Sequence, residues 1–339
     1  MSSSNRFHFL DSLRGFAVAG ILLVNAADLM CLGDDVPVRP FQTIPVATRF
    51  VPIFSFMFGM SMGFVIDSAI RRGAPAWKIL LRRLAALLVI GLLHSILYPG
   101  EILRDYAVVG AILLPFVLKV PRSVRLVLGL LATVGAYAFT GGGALSLPGL
   151  FLLGSAAQAY GLPARLEHAD RRIGAATLVF AAASAAAIPW QAAEGGDPRF
   201  FTAGGVAGGL MACLYVCLLA LLWRTPVRRA LSAVFEPLGR MALTCYVTAS
   251  FVMVPAGVLL DSRSTQDVIP GLIVAAAVLP LQWVFCRLWL SRFAYGPLEW
   301  AWRCVTWWRW VPLLRQQSQQ PDNQSSPYRY ARLPTTGVM

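Results

Sequence analysis

The sequence predicts an all-α protein, a polytopic integral membrane bundle of about ten transmembrane helices, and three observations carry that expectation. Of the 339 residues, 57% are apolar and only 13% are charged, about half the charge of an ordinary soluble domain. Mean hydropathy is +0.64. Apolar stretches of nearly 20 residues, the length a helix needs to cross about 30 Å of hydrocarbon, recur along the whole chain. This composition excludes a disulfide scaffold, a disordered chain and a collagen-like rod, and it argues against a soluble enzyme.

The predicted spans are residues 14–33, 47–67, 79–98, 106–120, 123–140, 145–161, 173–190, 204–223, 239–260 and 268–290. The sixth is interrupted by Pro148, Gly149 and Gly154, so a tilted, broken or re-entrant segment is expected there. The first resembles a signal peptide in having Arg6 and Arg14 before an apolar run. Asp11 among those basic residues, with Asn25 and Asp28 where cleavage would fall, predicts that it is retained. The organisation is then an N-terminal segment 1–13, a membrane bundle 14–290, a Trp-rich segment 291–314 and a polar tail 315–339.

Charge tests the span count independently. The net charge of +13 comes from 29 Lys and Arg against 16 Asp and Glu, a balance that in a soluble chain would suggest nucleic acid. Here the basic residues fall between apolar runs, which suits topology and anionic lipid headgroups instead. With ten spans, all but Arg39, Arg49, Arg104, Arg199 and Arg263 fall on one side together with both termini. By the positive-inside rule that side is cytoplasmic, as in a multi-pass protein of a bacterial inner membrane. Trp300, Trp302, Trp307, Trp308 and Trp310 are five of the ten tryptophans, interleaved with Arg303 and Arg309. They predict an interfacial helix on that face, or else a stacking surface for a nucleotide or acyl carrier. The tail beyond Arg315 is polar and Pro-containing, as in disordered segments. The six cysteines lie mostly in apolar runs and form no metal-ligand spacing, Cys213 and Cys217 alone sharing a helix face.

Few residues could carry chemistry. Asp11 and Arg14 stand three apart where the first helix begins, with Gly15 permitting close helix approach. They read as an ion pair, or as a phosphate contact through Arg14 for a donor such as an acyl-CoA. Asn25 and Asp28 share a face farther along, where a polar side chain must point at protein or water. Asn25 suits an interhelical hydrogen bond or the polarising of an acyl carbonyl. His94 lies about 16 Å along its helix from Arg83, in the outer half of the bilayer, and is followed by Glu101, Arg104, Asp105 and Tyr106. A histidine beside carboxylates is the minimum for general-base chemistry or a proton relay. The alternative is a histidine bonded between helices, with Glu101 and Asp105 capping the next one. Ser55, Gly59, Ser61 and Gly63 have the spacing of a close-packing stripe, and Asp67 can pair with Arg71. No nucleophile elbow, P-loop, dinucleotide fingerprint or zincin motif is present.

Five stretches, RFHFLDSLRGFAVAGILLVNAADL, FSFMFGMSMGF, RRLAALLVIGLLHSILYPGEILRDYAVVG, GRMALTCYVTAS and FAYGPLEWAWRCVT, resemble in the same order the YeiB-type bacterial membrane family, a domain of unknown function. The likeness spans about residues 6–312. This chain has Glu101 where the family usually has Asp, and Cys245 where Asn is common. The family in turn is distantly similar to transmembrane acyltransferases of the heparan-alpha-glucosaminide N-acetyltransferase type. That resemblance implies a cytoplasmic acyl-CoA donor, an acceptor on the far side, and a site built from a polar helix-one Asn and a His. The L-D-x-x-R-G start and the Val24-Asn25 pair match, whereas His94 does not align and stands as a substitute.

Three functions are therefore expected. An acyltransferase would use His94 as base, Glu101 and Asp105 as its carboxylates, Asn25 at the acyl carbonyl, and Arg14 with Asp11 at the donor phosphates. A proton-coupled carrier would relay through His94, Asp28 and Asp105. A structural partner in an envelope assembly would do neither. The expected partners are the lipid bilayer, acyl-CoA and an envelope acceptor, with no nucleic acid.

Overall fold

The computed structural model describes residues 6–31, 44–168, 171–195, 197–262 and 269–315, and thirteen α-helices are found among them. Each of the ten predicted spans corresponds to an α-helix over most of its described residues. They are α1 (His8–Cys31), α2 (Phe50–Arg71), α3 (Ala76–Ser95), α4 (Leu103–Lys119), α5 (Arg122–Thr140), α6 (Leu147–Ala159), α8 (Arg171–Glu194), α9 (Thr202–Leu222), α11 (Ala242–Leu259) and α12 (Ile269–Arg292). The remaining three are the short α7 (Leu162–His168), α10 (Arg228–Arg240) and α13 (Pro297–Trp307). The polar tail from residue 316, Arg39 and Arg263 lie outside the described residues, as does the side chain of Cys31.

Seven helices, α1, α2, α5, α8, α9, α11 and α12, are long and apolar enough to cross a membrane. The expected irregularity of the sixth segment is present: α6 and α7 form a pair bent by 73°, an eighth crossing if taken as one span. The other two predicted spans fall short for identifiable reasons. α3 carries Lys78, Arg82 and Arg83 in its first half, and α4 has 17 residues, about 26 Å of helix. The protein is thus a polytopic helical membrane bundle. Its outer face is apolar, with Ile112, Leu131, Leu178 and Phe251 each more than 60% exposed, as expected where the surrounding solvent is lipid.

Without a hydrophobic force between helices in lipid, close packing needs small residues. The α2 stripe has that role: a Cβ on Gly59 would strike the backbone of Phe151 on α6, and one on Gly154 of α6 would strike the backbone of Phe56. Asp67 bonds across this contact, accepting from Gln158 Nε2 at 2.7 Å, in place of the pairing expected with Arg71. α1 crosses α10 at a pair of glycines: a Cβ on Gly15 would meet the Phe235 carbonyl, and one on Gly239 the Asp11 carbonyl. α10 falls inside what the sequence reads as a basic connection. Its Leu231, Val234, Phe235 and Leu238 recur at helical spacing, and α1 also begins six residues before residue 14, burying Phe9, Leu10 and Leu13.

Segments expected on one side of the membrane meet at one end of the bundle. There Asp11 pairs with Arg6 (2.7 Å), His8 faces Glu236 (3.1 Å), and Glu167 accepts from the Phe9 amide (2.8 Å) and Trp223 Nε1 (3.2 Å). α13 docks at this basic end by stacking: the Arg83 guanidinium lies 3.6 Å from the Trp302 ring centroid, and Arg72 lies 4.2 Å from Trp307. Trp302 Nε1 donates to the Arg83 carbonyl at 2.7 Å. Half-buried Glu299 accepts from the Leu243 and Thr244 amides, capping α11, and its partial removal from solvent pushes its carboxyl above the ordinary range against the pull of those bonds. Trp308 and Trp310 stay exposed. At the opposite end Asp28 pairs with Arg199, whose guanidinium is also held by Asp197. Arg49, another exception to the charge pattern, is wholly buried and donates to Gln191 Oε1 (2.7 Å) and Thr48 Oγ1 (2.8 Å).

Because the Gly239 Cβ position falls on backbone and not on a movable side chain, Gly239→Ala must push α10 off α1. A loss of about 1–3 kcal/mol is expected, read as a lower thermal unfolding midpoint in detergent. An unchanged midpoint would show that this crossing is not close-packed.

Candidate functional site

The site is assembled from α1, α3, α4 and α11. His94 is the penultimate residue of α3, buried at 4% exposure. A buried imidazole needs partners for both nitrogens, because no water is available to supply them. Nε2 lies 2.9 Å from the Ser250 hydroxyl of α11. Nδ1 has no hydrogen-bond partner but faces Glu101 Oε2 at 3.9 Å. Glu101, 3% exposed, is itself fixed: its two oxygens accept from the backbone N–H groups of Leu103 (2.7 Å) and Arg104 (3.0 Å). The carboxylate therefore caps the first turn of α4, where free amides and the helix dipole favour negative charge. The Tyr246 ring stacks edge-on to His94 at 5.3 Å between centroids, and its hydroxyl accepts from the Ile102 amide at 3.4 Å. Gly91 allows this approach, since a Cβ there would collide with the Arg104 amide.

A cavity adjoins this cluster. Asn25, Tyr98, Tyr246, Ser250 and Gln282 give it a polar lining, completed by Val18, Ile21, Leu22, Leu29, Cys245 and Ala249. Its free space of about 10 Å³ has room for roughly one water molecule. Gln282 is held by the Cys245 carbonyl at 2.8 Å. Among the described residues Asn25 has no side-chain hydrogen bond, so its amide is free for whatever enters.

The structure thus brings together three of the residues singled out from sequence: His94 and Glu101 directly, and Asn25 through the cavity that Ser250 shares. It leaves the others apart. Asp105 is 44% exposed on α4 and faces Arg104 at 3.8 Å. It neither caps α4 nor contacts His94, because successive helical residues point about 100° apart and the buried side goes to Tyr106. Arg14 and Asp11 pair at 3.4 Å at the basic end, with Arg6 as the closer partner of Asp11. Ser250, Tyr98, Tyr246 and Gln282 were not visible as site residues, although Tyr246 and Ser250 are four apart in an apolar run, the spacing that puts two polar groups on one face. Among the described residues no group of three or more His, Cys, Asp and Glu could hold a metal ion.

The fold class is that of a polytopic helical membrane protein, and the chain matches known sequences along most of its length. The model of a family described as "Protein of unknown function (DUF418)" matches residues 160–309. An uncharacterized 39.9 kDa protein encoded in the amylase 3' region of Bacillus acidopullulyticus is 30% identical over 334 residues, covering 91% of this chain and 96% of that protein. The uncharacterized protein YxaH of Bacillus subtilis (strain 168) is 28% identical over 93% of this chain and 97% of its own length. The chain belongs to the DUF418 family.

If Glu101 caps α4 as its geometry indicates, Glu101→Ala should lower stability by about 0.5–2 kcal/mol, measured as thermal unfolding in detergent. Glu101→Asp keeps a carboxylate for those amides and should lose less. Equal losses in both would contradict the capping role.

Proposed function

We propose that this protein is a transmembrane acyltransferase that moves an acyl group from an acyl-CoA to a hydroxyl or amine on the other side of the membrane. The observation supporting it is the buried His94, backed by the fixed Glu101 carboxylate and opening through Ser250 onto a cavity lined by the unpaired Asn25 amide. In this account His94 accepts the acceptor's proton, and the imidazolium that forms is stabilised by Glu101. Asn25 donates to the acyl carbonyl oxygen as negative charge develops on it. Arg14, which keeps guanidinium donors beyond its single bond to Asp11, receives donor phosphates at the basic end, taken as the cytoplasmic face of a bacterial inner membrane. A carrier draws less support, because Asp28 and Asp105 are each engaged with an arginine.

Purified protein in detergent, given radiolabelled acetyl-CoA and envelope fractions, is expected to label an acceptor. His94→Ala should reduce labelling by about 10²–10⁴-fold, while truncation after Arg315 leaves it unchanged. Absence of both donor binding and labelling in the intact protein, together with substrate flux in proteoliposomes driven by a pH gradient, would replace the enzyme with a carrier.

A further inference from the structure

The contacts of His94 admit more than a base for an incoming acceptor. Nucleophilic catalysis by serine needs three groups in series: a hydroxyl, an imidazole bonded to it through one nitrogen, and a carboxylate on the other nitrogen. Ser250, His94 and Glu101 stand in that order, at 2.9 Å and 3.9 Å. Each is held on a different element, α11, α3 and the turn into α4, so the series arises from tertiary packing. The second distance exceeds a hydrogen bond. That is the expected resting state of a neutral imidazole, with the contact shortening once the ring gains a proton. Glu101 is kept at its post by two backbone amides and does not depend on His94 for its position. Ser250 is also the member of the series that reaches the cavity, whose lining includes Asn25 and Tyr98.

We infer that Ser250 is a nucleophile that carries the acyl group as a covalent ester, with His94 and Glu101 as its base and orienting acid. This deepens the acyltransferase assignment and rests on it for the identity of the donor. The serine oxygen attacks the carbonyl carbon of an acyl thioester while its proton passes to His94 Nε2. The carbon–sulfur bond then breaks, its electron pair leaves with sulfur, and sulfur takes the proton from His94. In the second half an acceptor hydroxyl or amine attacks the ester carbon and gives its proton to His94. The bond to Ser250 breaks and the serine oxygen recovers the proton, so the protein ends unchanged. Negative charge on the carbonyl oxygen at each stage faces Asn25 and Tyr98. The cavity widens to admit an acyl group by movement of Ile21, Leu22 and Leu29, apolar side chains on its α1 wall.

A fluorophosphonate with an alkyl chain tests this without knowledge of the donor. It reacts with an activated serine by losing fluoride as the serine oxygen bonds to phosphorus. Peptide mapping of the intact protein in detergent should find the adduct on Ser250. His94→Ala should slow its formation by about 10²–10⁴-fold, and Glu101→Gln should slow it less. Ser155→Ala, which alters a buried serine bonded only within its own helix, should label as the unaltered protein does. No adduct on Ser250 in protein that transfers acyl groups would overturn the inference, as would transfer persisting in Ser250→Ala, and either result would leave the acyltransferase assignment standing. An adduct on Ser250 that depends on His94, in protein that takes nothing from acetyl-CoA, would retain the nucleophile and remove that donor. Because the mapping is done on the unaltered chain, it does not depend on any variant folding.

Discussion

A single hydrogen bond, between the His94 imidazole and the Ser250 hydroxyl, sets the requirement on which the rest of this bundle depends. The imidazole is 4% exposed in an interior that offers no bulk water, and a buried polar group left without a partner costs on the order of 1–3 kcal/mol. α3 and α11 must therefore meet at this height and in this rotation. The turn between α3 and α4 must bring Glu101 toward the other ring nitrogen, which it does because Gly91 leaves space and the first amides of α4 hold the carboxylate. Nδ1 remains without a hydrogen-bond partner. Folding alone would favour a leucine here, so the arrangement carries a cost that chemistry at the cavity would explain.

The two ends of the molecule answer different physical demands. At the basic end the arginines have few carboxylates to meet, and several are covered by tryptophan faces, which attract cations without neutralising them. The Trp-rich segment thus partly covers the bundle, through Trp302 and Trp307 of α13, and partly forms an exposed edge just beyond that helix, through Trp308 and Trp310. At the opposite end Asp28 and Arg199 form a partly buried pair. Between the ends, small residues set how closely helices approach. The glycine pair at the α1–α10 crossing holds the first helix, and with it Asn25, against the bundle.

Much of this architecture was legible in the sequence because lipid imposes a coarse rule. A backbone that crosses hydrocarbon outside a closed barrel must be helical, and each of the ten predicted segments corresponds to a helix over most of its described residues. α10 was hidden because its arginines read as a connection, although Leu231, Val234, Phe235 and Leu238 follow the helical period. His94, Glu101 and Asn25 stood out for a similar reason, being polar or ionisable in or beside apolar runs. Ser250 did not, since a serine in a helix can satisfy its hydroxyl on its own backbone, and only the fold shows that this one faces an imidazole. Asp105 looked equivalent to Glu101 because sequence proximity to His94 says nothing of which face of α4 each occupies.

The central claim is that His94 is poised as a base, with a bare Nε2 turned to Ser250 and a proton on Nδ1 turned to Glu101. The chain has three histidines, so nitrogen-15 NMR of histidine-labelled protein in detergent, with His94→Gln as the assignment control, reads this directly. The account predicts that at neutral pH the His94 proton resides on Nδ1 and Nε2 shows the shift of a hydrogen-bonded, unprotonated nitrogen. A proton on Nε2, donated to Ser250, would make the histidine a structural donor and contradict the account.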